Sequence, residues 1–179
     1  MSDKLPSREQ ALRLLRQSGC KENVVRHCRA VAELAREIAE NCKERGLAVD
    51  VELVEIGALL HDLGRAQTHS VHHAVVGANI GKALGLPENV LSIIKRHVGG
   101  GITTQEAKKL KWPKDVYVPQ TLEEKIVAYA DKLIEGSRRV PIEKTIQELS
   151  RELPPSAVER VLRLHAEMMH LIGDCECQP

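Results

Sequence analysis

The chain contains very few aromatic residues. Phenylalanine is absent, and the 179 residues include only one tryptophan and two tyrosines: Trp112, Tyr117 and Tyr129. A protein that binds single-stranded nucleic acid by stacking its bases needs several exposed aromatic rings. We therefore expect a core of Leu, Ile, Val and Ala, and no stacking platform for single strands.

An excess of charge of one sign is also missing. Lys and Arg number 26 against 25 Asp and Glu, and the formal net charge is +1. A strongly basic surface is what nucleic acids and anionic membranes attract, so neither a nucleic acid duplex nor a membrane is expected as a partner. A small charged ligand and association into a homo-oligomer both stay open.

Long hydrophobic runs and a cysteine framework are absent as well. No apolar stretch approaches the roughly 20 residues that span a bilayer, and the opening MSDKLPSREQ has no apolar signal region, so a cytoplasmic protein is expected. The five cysteines form no framework spacing, which indicates reduced thiols. Cys175 and Cys177 offer only two ligands in a short tail, and we expect no closed zinc site there.

Regular alternation of apolar and polar residues, the mark of a strand, does not occur, and no hairpin dipeptide stands out. Every long segment instead has the helical period, so the sequence predicts an all-α fold of about nine helices in a single domain over residues 1–179. We expect a core over about residues 23–138, C-terminal helices within 141–172 and a short tail at 173–179. Capping and stop signals predict helices from Ser7 to near Gly19, over 22–45, 51–63, 70–84, 88–98 and 103–111, from Thr121 onward, and over 141–152 and 156–172.

The segment Gly57–Arg65, GALLHDLGR, ends an apolar run with His61 and Asp62 side by side. Two polar side chains at the end of a buried helix need partners, and imidazole with carboxylate is a common ligand pair for a divalent transition metal. Both can face one ion only if the helix ends there, and we expect Gly64 to end it with a positive φ. The alternative is a surface pair at a helix C-terminus.

Four more polar residues lie at the edge of buried helix faces: His27, His73, His97 and Asp131. Any one histidine of this kind is as readily a core residue with a single hydrogen bond. Together with the His61–Asp62 pair, however, they predict a metal site. His73 begins one helix and His97 ends the next, and a short connection makes the two helices antiparallel, so these two side chains are expected to converge. His165 and His170 are expected to be surface or packing residues.

The order of these residues resembles the HD-domain superfamily of metal-dependent phosphohydrolases. Its pattern H…HD…D matches His27, His61, Asp62 and Asp131, over about residues 23–138, and the strings VVRHCRAVAELA, IIKRHVGG and LEEKIVAYADKLIEGSR look like the helices that carry its ligands. His73 and His97 match the pattern of members that bind a second ion. The likeness is closest to HD hydrolases of symmetrical diadenosine tetraphosphate.

This resemblance implies one or, as we expect, two divalent ions among Fe, Mn, Ni, Co and Zn. It further implies that Asp62 bridges the ions and takes a proton from the attacking water, while Arg65, Lys132 and Arg138 neutralise the phosphate of a nucleotide or dinucleotide. His72 is retained as a phosphate contact only. The alternatives are that Arg65 caps the preceding helix and that Arg138 is a solvated charge.

Two other functions stay open beside hydrolysis of a phosphoester or phosphoanhydride. A di-iron oxygenase on the same scaffold would consume oxygen, and a catalytically silent regulator would bind a nucleotide without turnover. Trp112 and Tyr117 either border the pocket and stack on a base or pack on the core, and packing is the favoured interpretation.

Overall fold

The structure, a computed structural model, describes residues 4–173, so Cys175 and Cys177 lie outside the described residues. The all-α fold is confirmed: nine α-helices account for most of the described chain. They are α1 (Arg8–Gln17), α2 (Glu22–Glu44), α3 (Val51–Leu60), α4 (His73–Ala83), α5 (Glu88–Arg96), α6 (Thr104–Lys109), α7 (Leu122–Lys132), α8 (Ile142–Glu152) and α9 (Pro155–Ile172), with a 3-10 helix at Leu63–Ala66.

Local capping chemistry fixes several helix starts as the sequence predicts. Ser7 and Thr103 form complete capping boxes at α1 and α6, and Thr121 does so at α7. Asp50 accepts a hydrogen bond from the backbone N–H of Leu53 and begins α3. In each case the capping side chain accepts a hydrogen bond from a backbone N–H of the first helical turn, which has no backbone partner. Because donor and acceptor are only three residues apart, such helix starts can be predicted from the sequence.

Helix α3 is the centre of the fold. Its residues 53–60 are all buried, because α1, α2, α5 and α7 pack around it. The long helix α2 lies along both α3 and α7 and contributes ten buried residues to the same core. Because α3 is enclosed by these helices, the residues that follow its last turn, His61 and Asp62, lie inside the molecule.

Three helix boundaries near these residues differ from expectation. Helix α3 ends at Leu60, before the predicted limit of Leu63, and α5 ends at Arg96, before Val98. Helix α4 begins at His73 and not just after Ser70: its N-cap is His72, and the Ser70 carbonyl accepts a hydrogen bond from the imidazole of His73. Each of these three boundaries lies beside a histidine, His61, His97 or His73, whose imidazole bonds to a backbone carbonyl oxygen.

A small hairpin corrects the expectation of no strands. Strands β1 (Ile134–Glu135) and β2 (Arg138–Arg139) pair antiparallel around Gly136, whose φ is +61°. Each strand has two residues, too few to show alternation in the sequence. Among residues 4–173, no helix has both the length and the apolar character that crossing a bilayer requires.

Candidate metal centre

Six side chains from five segments of the chain meet at one point in the core. They are His27 from α2, His61 and Asp62 after α3, His73 at the start of α4, His97 after α5 and Asp131 near the end of α7. His61 is fully buried, and Asp62, His73 and His97 are at most 6% exposed. These are the six residues that the sequence predicts as metal ligands, and the structure brings all of them together.

The four histidines share one orientation. In each ring Nδ1 lies 2.6–2.9 Å from a backbone carbonyl oxygen, the partners being Gly136 for His27, Ala58 for His61, Ser70 for His73 and Ile94 for His97. A carbonyl oxygen can only accept, so Nδ1 carries the proton and donates it. In the neutral rings Nε2 is therefore unprotonated, and it faces the centre as a ligand atom.

The first group of donor atoms surrounds Asp131. Its Oδ1 lies 3.0 Å from His27 Nε2 and 3.5 Å from His61 Nε2. His61 Nε2 is buried and has no hydrogen-bond partner among residues 4–173. An unsatisfied buried nitrogen costs free energy unless something binds it, and a divalent ion in contact with Asp131 would do so.

The second group surrounds Asp62. Its Oδ1 is 3.2 Å from His73 Nε2 and 3.7 Å from His97 Nε2, while the two Nε2 atoms are 2.9 Å apart. Two unprotonated nitrogens at this distance point lone pairs at each other, which is favourable only with a cation between them. His61 Nε2 also lies 3.8 Å from Asp62 Oδ2, so the two groups are continuous. Imidazole and carboxylate donors of this kind fit first-row divalent ions.

The electrostatics of the centre keep its two carboxylates in the charged form that can bind a metal. Burial alone would raise the pKa of Asp62, but His61 and His97 beside it hold that pKa far below its usual value. Burial likewise opposes ionisation of Asp131, and Lys132, with His27 and His61, holds its pKa well below the ordinary range. Both carboxylates are therefore ionised near neutral pH.

The histidines of the two groups differ in their pKa. Burial and the neighbouring His97 lower the pKa of His73 to about 3, and burial also lowers that of His97. For His61, burial works against the charged ring, but Asp62 and Asp131 together raise the pKa above its usual value. His73 and His97 are thus neutral near pH 7 and could bind a metal without having to release a proton.

Gly64 acts in a different way from the one expected. It is not among the glycines with positive φ; it lies inside the 3-10 helix, where an added Cβ would stand 2.0 Å from the carbonyl oxygen of His73 and 2.7 Å from the backbone nitrogen of Gly77. The turn after Asp62 therefore packs backbone against backbone on the first turn of α4. This close approach is what brings His73 within reach of Asp62.

A pocket of about 290 Å³ opens onto the centre. Arg65 and Lys132 lie at its base: Arg65 Nε donates to Asp62 Oδ1 at 3.1 Å, and Lys132 Nζ lies 2.6 Å from Asp131 Oδ2. Each predicted ligand carboxylate thus has one cationic neighbour that also faces the pocket.

Two other predicted phosphate contacts are not in this pocket. His72 is exposed, and its Nδ1 accepts a bond of 2.8 Å from Trp112 Nε1. Arg138 is exposed on β2 and does not line the cavity, because the hairpin carries it outward. The structure therefore places neither residue beside the six ligands.

The aromatic loop packs on the core. Trp112 is 8% exposed and Tyr117 is 3% exposed, with ring centroids 4.8 Å apart, and neither lines the pocket. His165 bonds the hydroxyl of Tyr129 at 2.8 Å and His170 is exposed, as their expected packing and surface roles require.

The outer wall of the pocket, formed by helix α8, is not predicted by the sequence. Helix α8 contributes Thr145, Glu148 and Leu149, and Thr145 Oγ1 donates to the backbone oxygen of Lys132 at 2.7 Å. The sequence shows α8 only as an amphipathic helix, and nothing local indicates which surface such a helix covers.

An all-helical fold that gathers four histidines and two aspartates at the base of a pocket defines a class of metal-binding helical proteins. A family model described as HD domain matches residues 24–136, and the chain belongs to this family. Its solved likenesses include the HD domain of the Listeria monocytogenes phosphodiesterase PgpH in complex with cyclic-di-AMP, with a TM-score of 0.55 and 17% identity over 94% of this chain and 99% of that one. At that identity the likeness supports the fold.

The matches to three relatives cover different shares of those relatives' lengths. An uncharacterized protein of Methanocaldococcus jannaschii is 47% identical over 92% of this chain and 98% of its own. A tRNA (cytidine(56)-2'-O)-methyltransferase of Thermoplasma volcanium is 39% identical over 94% of this chain, but the match spans 48% of its length. A ribonuclease Y of Acidothermus cellulolyticus is 32% identical over 81% of this chain and 26% of its own length.

Proposed function

We propose that the chain is a metal-dependent phosphohydrolase that cleaves a phosphoester or phosphoanhydride bond of a nucleotide or dinucleotide. The observation that carries the proposal is the set of four inward-facing Nε2 atoms and two ionised carboxylates, with Arg65 and Lys132 beside them on the lining of one pocket. Membership of the HD-domain family supports the phosphohydrolase class in general.

The ligand set divides into two halves. His27, His61 and Asp131 would hold one ion. Asp62, His73 and His97, whose Oδ1 and Nε2 atoms lie within 3.7 Å of one another, would hold a second, with Asp62 next to both. When bound, such ions polarise a phosphoryl oxygen and lower the pKa of water so that hydroxide is available near neutral pH.

The remaining chemistry belongs to side chains of the pocket. Asp62 stays ionised, so its carboxylate can accept a hydrogen bond from the attacking water and orient it toward phosphorus. Lys132 places a point charge and Arg65 a planar fork beside the same carboxylates. Both can neutralise charge on the transferring phosphate, which lowers the barrier to attack by an anion.

The upper part of the pocket suits the nucleoside end of the substrate. Val98, Ile134, Val140 and Leu149 give it aliphatic walls, and Glu135 and Glu148 add carboxylates that both lie within ion-pair distance of Lys144. Carboxylates repel phosphate but accept hydrogen bonds from ribose hydroxyls or a base amino group. Cations beside the metal ligands and anions elsewhere on the lining would orient the substrate with its phosphate inward.

The named relatives widen the substrate class to be tested. The PgpH domain was solved with a cyclic dinucleotide, and two relatives have names that denote enzymes of RNA. The resemblance to diadenosine tetraphosphate hydrolases adds dinucleoside polyphosphates. The proposed substrate is accordingly a nucleotide, either free, joined to a second nucleotide or at the end of an RNA chain.

The test is a phosphate-release screen under anaerobic conditions with Mn, Fe or Co, over mononucleotides, dinucleoside polyphosphates, cyclic dinucleotides and phosphorylated RNA. We expect metal-dependent release, and a loss of at least about 100-fold in Asp131→Asn, since loss of a ligand costs more than loss of a group behind it. Asp115→Asn is the control, because Asp115 pairs with Lys95 outside the pocket.

Two results would refute the hydrolase. Oxygen uptake with no phosphate release from any substrate would identify an oxygenase. Tight nucleotide binding by the metal-loaded protein without turnover would identify a regulator.

A further inference from the structure

A basic surface stands apart from the metal centre. Four exposed lysines occur within seven residues, at the end of α6 and in the chain that follows it; we call them the lysine surface, and they are Lys108, Lys109, Lys111 and Lys114. None of the four forms an ion pair within residues 4–173. Their charge is therefore uncompensated, although the chain as a whole has a net charge of only +1.

The acidic residues closest in sequence are already in use. Glu106 accepts two bonds of 2.8 Å from Arg160, and Asp115 is 2.8 Å from Lys95. Pairs of this kind neutralise the carboxylates that would otherwise offset the lysines. The surface thus presents positive charge to an external partner.

Lys111 has the one positive φ among the non-glycine residues that the structure describes, at 58°. It follows α6, where its N–H bonds to the oxygen of Lys108 and the N–H of Trp112 bonds to that of Ala107. Glycine is the usual residue at this helix-ending position, and any other costs about 1 kcal/mol. A strained lysine at a glycine position points to a use for its side chain.

The segment that carries the lysine surface is connected to the pocket through buried side chains. Trp112, the neighbour of Lys111, donates a hydrogen bond to His72, and the next residue is the predicted ligand His73. Val98 packs against the cluster that contains Trp112 and also lines the pocket. The chain that bears the lysines is therefore anchored on residues that border the predicted reaction site.

We propose that the lysine surface binds the phosphate backbone of a single-stranded RNA whose terminal nucleotide enters the pocket. This inference rests on the proposed function and narrows its substrate to an RNA end. A cavity of about 290 Å³ has room for one nucleotide and not for a base pair, so a duplex end would have to open first. Since Trp112 and Tyr117 are buried, the strand is held by charge and not by stacking, and binding is independent of sequence.

Binding of a fluorescent RNA of about 12 nucleotides, followed by anisotropy at several salt concentrations, tests the surface. Replacing all four lysines with glutamine should weaken binding by roughly tenfold or more near 0.1 M salt and reduce the log–log salt slope by about 0.7 per lysine. The double variant Lys108→Gln with Lys109→Gln is compared with Lys21→Gln and Lys43→Gln, two exposed lysines at the ends of α2. Equal affinity and slope in the four-lysine variant and the wild type would overturn the proposal.

Turnover gives an independent measurement on the metal-loaded protein. In the wild type we expect KM to fall as a phosphorylated RNA lengthens from one nucleotide to about 12, and the four-lysine variant should lose this dependence while keeping kcat on a mononucleotide. Lysine-dependent binding of RNA without any hydrolysis would support the surface and refute the proposed function. If the four-lysine variant loses only its binding to vesicles of equal parts phosphatidylcholine and phosphatidylserine, and binds RNA like the wild type, the surface is a membrane contact and the inference fails.

Discussion

Backbone carbonyls, and not other side chains, fix the tautomer of all four histidines at the centre. Each carbonyl belongs to a residue near the end of a helix or turn, three residues before its histidine in the cases of His61, His73 and His97. A main-chain acceptor cannot be removed by a side-chain substitution. The orientation of His61 and His97 therefore depends on where their helices end, whereas that of His73 depends on the turn before α4 and that of His27 on the hairpin at Gly136.

At this scale the first prediction concerns the number of ions. Replacing His73 and His97 together with alanine should reduce bound metal from two ions per chain to one after reconstitution with Mn, Fe or Co, because the donors around Asp131 remain. Elemental analysis measures the stoichiometry. One ion per chain in both proteins would establish a mononuclear centre.

The second residue-scale prediction is a pH dependence of the metal-free protein. The pKa of His73 is about 3 in the folded chain and about 6.5 in an unfolded one, so between these values the unfolded state binds one more proton. Stability should therefore fall as the pH falls from 6.5, by about 1.4 kcal/mol per pH unit for that proton. His97 acts in the same direction, whereas the raised pKa of His61 acts only above pH 6.5.

Denaturant unfolding between pH 6 and 4.5 measures this slope, above the range in which the aspartates titrate. His73→Gln should be flatter than the wild type, and His170→Gln, an exposed histidine, should not differ from it. A slope unchanged by His73→Gln would contradict the burial of a neutral imidazole.

Elements meet at the centre through glycine contacts. The 3-10 helix after Asp62 lies against α4 at Gly64 and Gly77, where an added Cβ on either glycine would meet the backbone of the other segment within 2.8 Å. Side chains of any other size at these two positions would separate the elements. Asp62 and His73 can thus lie close together because Gly64 and Gly77 have no Cβ atoms between the two backbone segments.

We accordingly expect Gly64→Ala to destabilise the protein by about 2–3 kcal/mol and to weaken binding of the second ion, since backbone atoms must move. Gly81→Ala, on helix α4, is the matched control: its Cβ would meet only the side-chain ends of Leu86, Leu91 and Ile94, which can shift. Chemical denaturation and metal titration compare the two variants. Equal losses in both would show that the glycine contact does not position His73.

The elements also show what the sequence could predict. Helical periodicity placed His27, His73, His97 and Asp131 at buried faces, and buried polar residues on several helices have few arrangements other than a shared centre. The two-residue strands of the hairpin leave no periodic signal, so the outward direction of Arg138 was not predictable. Neither was the docking of α8, because long-range packing depends on surfaces that only the folded core creates.

At the scale of the whole molecule, the metal centre joins five segments of the chain. Residues 27 and 131 are more than one hundred positions apart and meet with a distance of 3.0 Å between His27 and Asp131. An ion held by such residues binds the folded state far better than the unfolded one. Metal binding at this candidate centre would therefore raise the stability of the whole fold.

Chelation should lower the melting temperature by mass action. An ion at about 1,000 times its dissociation constant stabilises the fold by about 4 kcal/mol, which for a chain of this length corresponds to roughly 10 °C. Calorimetry of metal-loaded and metal-free protein measures the shift, and Asp131→Asn should show a smaller one. Equal melting after verified removal of metal would place the ions outside the folded core.

Helix α8 lies beyond the region that the family model covers, which ends at residue 136, yet it forms the outer wall of the pocket through Thr145, Glu148 and Leu149. In the proposed function, the groups that would react and the groups that would meet the rest of the substrate therefore belong to successive stretches of chain. Evolution can exchange the second stretch while the first keeps its chemistry. Relatives with the same six ligands but a different helix here would share a reaction and differ in what they admit to it.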